Sequence, residues 1–121
     1  MAYDETLVMR IREHLAMTAD VTEMKMFGGW GLTVHGNMAV GVMAQDLIVR
    51  VGPHGFDGAL QRPGARPFDF TGRPMTGWVF VDGASVADPE ALHGWVDLGV
   101  SFATSLPSKS GTVGSERQAP R

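Results

Sequence analysis

The sequence contains no cysteine. That absence excludes disulfides, thiolate nucleophiles and cysteine-ligated zinc or iron–sulfur centres together, and it fits a reducing, cytoplasmic setting. No apolar run approaches the ~20 residues that a membrane-spanning helix needs. The opening Met1-Ala2-Tyr3-Asp4-Glu5 brings acidic charge with no apolar stretch behind it, so no secretory signal is expected. Positive charge is scarce in the body of the chain. Residues 1–106 carry 7 basic and 12 acidic side chains, while 107–121 hold Lys109, Arg117 and Arg121 against Glu116. A protein that neutralises several phosphates presents a basic face. This acidic body does not, so direct DNA binding is not expected, and neither is a membrane partner.

Chemical signatures are missing as well. There is no Gly-x-Ser-x-Gly elbow to hold an activated serine. His14, His35, His54 and His93 form neither a His-Glu-x-x-His motif nor a pair one helical turn apart, so they read as surface imidazoles rather than metal ligands. The glycine-dense Gly28-Gly29-Trp30-Gly31 falls between two strands. A dinucleotide loop needs its glycines between a strand and a helix N-terminus, where backbone amides meet phosphate. Asp46, Asp57, Asp69, Asp82 and Asp88 fall mostly at turns and caps, where a short carboxylate bonds nearby amides. The sequence therefore offers no catalytic residue, no metal site and no cofactor, and catalysis is not expected.

What is present is enough for one folded domain. In 121 residues, 44% are apolar and 19% charged, close to the ordinary globular mix. A chain of this size buries ~65% of its unfolded surface, which supports one core and not two. Residues 4–17 read as a helix, with Leu7, Ile11 and Leu15 on one stripe and Asp4 as its cap. Four strands follow, at 24–27, 30–35, 38–43 and 47–51, with Gly36-Asn37 and Ala44-Gln45-Asp46 as tight turns. Such short turns make neighbouring strands antiparallel. Residues 54–61 form a short glycine-weakened helix after Pro53. Residues 66–70 are extended, with Pro67 marking an edge, and 78–82 form a strand with apolar side chains on both faces. Asp88-Pro89-Glu90 starts the last helix, whose stripe is Leu92, Trp95, Val96, Gly99, Phe102 and Leu106. The expected class is α+β, an antiparallel sheet flanked by helices, in the order one helix, four strands, one helix, two strands, one helix. The expected division is a domain over 1–107 and a disordered tail over 108–121, which lacks periodicity and bulk.

The cations form the most informative set. Lys25 and Arg50 each sit between apolar neighbours on a strand, and Arg66 and Arg73 lie around the Pro/Gly-rich loop. Such a cation either faces solvent on a half-buried sheet or belongs to a site for an anion or an acidic partner. Met24, Met26, Met38 and Met43 gather in the strand region, where methionine either fills a core or lines an adaptable surface.

An ordered set of segments resembles the N-terminal domain of the TfoX/Sxy competence-regulator family. These segments are Lys25-Met26-Phe27-Gly28-Gly29, the hairpin Gly36-Asn37-Met38, Leu47-Ile48-Val49-Arg50-Val51-Gly52, the stretch from Arg66 through Thr71-Gly72-Arg73-Pro74-Met75 to Trp78, and Trp95-Val96. The resemblance covers about residues 3–107. It implies an α+β fold and a bacterial regulatory role, since full-length members promote natural competence and act as coactivators alongside the cyclic-AMP receptor protein. Those members carry a second, helical domain, for which the residues after Pro107 leave no room. The family supplies no catalytic residues or cofactor. It marks Lys25, Phe27, Gly28, Gly29, Arg50, Arg73 and Met75 as positions of interest for a partner or ligand. The expected function is a regulatory protein-interaction module, acting on a protein partner or as a homodimer. The alternative is a small anionic-ligand binder or an enzyme using Lys25, Arg50 and Arg73.

Overall fold

The computed structural model describes residues 3–26, 28–69 and 75–108. The elements are α1 (Glu5–His14), β1 (Val21–Met26), β2 (Gly29–Val34), β3 (Asn37–Met43), β4 (Asp46–Arg50), α2 (Phe56–Leu60), β5 (Ala65–Pro67), β6 (Trp78–Val81) and α3 (Pro89–Ser105). The six strands make one antiparallel sheet in the order β1-β2-β3-β4-β6-β5, so the class is α+β.

Local chemistry sets most element ends. Asp4 accepts hydrogen bonds from the Thr6 and Leu7 amides, and Asp88 accepts one from Ala91 with Pro89 following it. Each carboxylate satisfies amides that the first helical turn leaves orphaned. The β2–β3 turn differs from expectation by one residue. It is His35-Gly36, with φ of 54° and 80°, closed by the pair Val34↔Asn37. Two successive positive φ values fit the mirror-image turn that matches strand twist. Asn37 opens β3 because its side chain is needed elsewhere: it is 1% exposed, and its amide donates to the carbonyls of Ala103 and Pro107. The hairpin thus holds the C-terminal end of α3.

The main core lies between one face of the sheet and the helices. Leu7, Val8 and Ile11 of α1 and Leu92, Trp95 and Val96 of α3 pack with Leu32, Val40, Val42, Leu47, Val49, Val79 and Val81. In α3, Ala103 rather than Phe102 or Leu106 completes the fully buried stripe. A Cβ on Gly99 would lie 2.5 Å from the Ala39 carbonyl oxygen, so the absent side chain lets α3 lie directly on β3. The opposite face carries a smaller cluster of Ile48, Phe68 and Phe80, with Met43 and Trp78 against it. No helix of the described residues is long and apolar enough to cross a membrane.

Candidate functional site

The sheet places the residues marked by sequence at separate positions. Lys25 lies on the outer strand β1, opposite Trp30. Trp30 is buried in the main core, and strand alternation therefore puts Lys25 on the helix-covered side. Arg50 ends β4, opposite Trp78, and falls on the other face with Ile48. Two strands separate β1 from β4, a lateral distance of roughly 14 Å. Gly28, with φ of 78°, makes the β1–β2 turn, and Gly29 pairs with Met26 at the β1–β2 end of the sheet nearest Met43. Arg50 lies at the opposite end of the strands, so the structure does not bring Lys25, Gly28, Gly29 and Arg50 together. Phe27 and Arg73 lie outside the described residues.

One group does form around Arg50. Its guanidinium carbon is 5.3 Å from the Trp78 ring centroid and 5.3 Å from that of Phe102. Met75 belongs to the same corner: its amide donates to the Phe68 carbonyl at 2.9 Å, and its carbonyl accepts from the Trp78 amide at 3.1 Å. Met75 is 40% exposed. The aromatic rings hold the Arg50 cation by their negative faces. No carboxylate pairs with Arg50 among the described residues. The register explains this grouping, because Arg50↔Trp78 is the last pair of the β4–β6 ladder and the hydrogen bond from Met75 to Phe68 closes at that end.

Among the described residues, Arg12 and Arg66 are committed to carboxylates. Arg12 donates to both oxygens of Glu23, at 2.8 and 2.6 Å, and the Trp30 indole N–H donates to the same carboxylate at 3.0 Å. The Arg12 hydrogen bonds hold the Glu23 carboxyl below its ordinary value. Partial burial opposes that shift, and Trp30 adds to it. Arg66 bridges Asp46 at 2.8 Å and Asp82, and lies over the Phe80 ring at 4.8 Å. Its hydrogen bond to Asp46 raises its pKa above the ordinary value. Arg62 sits 3.9 Å from the Trp95 ring centroid.

Sequence reasoning missed one polar cluster. His14 of α1 stacks on His93 of α3, with ring centroids 4.0 Å apart and an interplanar angle of 4°, and His14 Nε2 lies 2.7 Å from Asp97 Oδ1. The only signal was the four-residue spacing of His93 and Asp97, which puts both on one helix face but says nothing of the helix opposite. Among the described residues no three His, Asp or Glu side chains are gathered as a metal ion would require.

Neither a curated protein nor a solved structure matches the chain. The family model of the TfoX N-terminal domain matches residues 13–103, which span β1 through nearly all of α3 and include the Arg50 corner and the hairpin that holds α3. The chain belongs to the TfoX N-terminal domain family.

Proposed function

We propose that this domain is a regulatory protein-interaction module of the competence-related kind, acting without catalysis and capturing its partner at the Arg50 corner. The carrying observation is the state of Arg50, a half-buried guanidinium held on Trp78 and Phe102 with no carboxylate partner among the described residues. A preorganised guanidinium fork beside an exposed methionine fits a partner that offers a carboxylate next to an apolar side chain. Arg73 precedes Met75 by two positions in the chain, which supports including it as a second cation in the same reading. The acidic body favours an effect on transcription exerted through protein contacts rather than through direct grip on DNA.

Affinity capture from the native cytoplasm, read by mass spectrometry, tests this. The Arg50→Glu and Arg73→Glu variants should each lose the partner that the wild type retains while remaining folded, with Arg50→Glu melting lower because its contacts with the Trp78 and Phe102 rings are lost. Equal capture by wild type and both variants contradicts the reading, and so does tight, salt-sensitive DNA binding by the isolated domain.

A further inference from the structure

We infer that β1 is a pairing edge for a second copy of this chain, joining two sheets across a dyad that passes through Met24. β1 ends the sheet, and all six of its residues pair regularly with β2. Its outer side makes no backbone hydrogen bond among the described residues. It contains no proline and no bulge, two of the devices that blunt edges; a third, charge, is present as Glu23 and Lys25, and pairing must satisfy both. Thr22, Glu23, Met24 and Lys25 are all exposed, with Met24 at 44%.

The side chains choose both the occupant and the register. Two copies related by a dyad perpendicular to the sheet keep their faces aligned, so residues directly opposite must be of like parity. A dyad through Glu23 sets Glu23 against its own copy, and one through Lys25 does the same with lysine. Like charges directly opposite are destabilising. A dyad through Met24 instead sets Met24 against the partner's Met24, Glu23 against the partner's Lys25, and Thr22 against the partner's Met26. This register forms two opposite-charge pairs by symmetry. Lys25 has no carboxylate partner within its own chain among the described residues. Glu23 accepts three hydrogen bonds from Arg12 and Trp30, which leaves room at a carboxylate with about four acceptor sites. A shallow hollow of about 370 Å³ lies along this edge, lined by Tyr3, Arg12, Glu23, Met24, Lys25 and Trp30, and it receives the partner's Lys25. The two Met24 side chains meet on the face opposite the helices, since Met24 pairs with Gly31 rather than with a core residue.

This inference names the second copy as a partner and does not depend on the Arg50 corner. The test uses the full chain. Sedimentation over about 1–300 µM should show a reversible dimer of the wild type. Lys25→Glu turns both cross-strand pairs repulsive and should raise the dissociation constant about tenfold or more. Because the chain has no cysteine, Met24→Cys carries a single thiol. Opposite residues in an antiparallel pair have Cα atoms ~4.5–5.5 Å apart, within disulfide range, so this variant should oxidise rapidly to a covalent dimer. Thr22→Cys should not, because its copy lies roughly 13 Å away along the strands. Equal cross-linking of both thiols overturns the register. A wild type that stays monomeric, together with a Met24→Cys variant that does not cross-link, overturns the pairing while leaving partner capture through Arg50 untouched.

Discussion

At one edge of the sheet β5 is three residues long, contains Pro67, and has Arg66 fixed to Asp46 and Asp82. At the other, β1 runs six residues without proline and leaves Met24 and Lys25 to solvent. Proline removes a donor from an edge, and a clamped arginine adds a bulky charge to it, so β5 is closed to further strands. The same asymmetry extends inward. Beside β5, the sheet is covered on both faces, by the helices on one and by Phe68 on the other. Beside β1, the helices cover one face, and Met24 lies exposed on the other. The contrast separates a half of the sheet that is buried on both faces from one with an exposed face and an edge without proline or bulge.

The largest expected effect tests the doubly covered half. Phe68 is 2% exposed and packs on Phe80 with ring centroids 4.8 Å apart. Phe68→Ala should cost about 3–5 kcal/mol in chemical denaturation, from lost transfer energy and the cavity left behind. A loss below about 1 kcal/mol would show that the second face is not a true core.

A smaller loss is expected from Arg66→Ala, about 1–2 kcal/mol. It removes two partly exposed ion pairs and the contact with the Phe80 ring. Amide exchange should quicken at β5 before it does at β3. Uniform quickening across the sheet would mean that the clamp does not act at the edge.

On the β1 side the Arg12–Glu23 pair gives a pH signature. Glu23 titrates lower in the folded chain than in the unfolded one, so the unfolded chain binds the proton more readily. The pair's contribution is present above the ordinary glutamate value and is lost as pH falls through the folded value. Arg12→Ala should lower stability at neutral pH by about 1 kcal/mol or less and flatten this part of the acid limb. An unchanged acid limb would place the acid sensitivity elsewhere.

Least affected should be Met24→Ser, within about 0.5 kcal/mol of wild type by thermal melting at concentrations where the chain is monomeric. A loss as large as that of Phe68→Ala would erase the difference between the two halves.

Much of this architecture is legible residue by residue. Leu7 and Ile11 mark the buried stripe of α1, Asp88-Pro89 marks the start of α3, and the alternation of Leu47 and Val49 marks the core face of β4. Other features resisted the sequence. Residues 21–23 of β1 carry no strong strand pattern and become a strand by pairing with Leu32, Thr33 and Val34. Asn37 reads as a turn residue but is drawn inward to donate to the end of α3. Of the marked positions, Arg50 and Met75 fall at one corner of the sheet, but the sequence gave no sign that Trp78 and Phe102 would hold the guanidinium, nor that Lys25 would lie on the other face.

The sequence alone determined the class of fold, the order of its elements, the caps of α1 and α3 and the core face of α1, β2 and β4, because periodicity and capping act over a few neighbouring residues. Tertiary structure alone decided which strand would lie at each edge, which cation would be clamped by carboxylates and which held only by aromatic rings, and which histidines would meet. Those outcomes depend on pairings between residues far apart in the chain, and such pairings are fixed only when the sheet closes around its core.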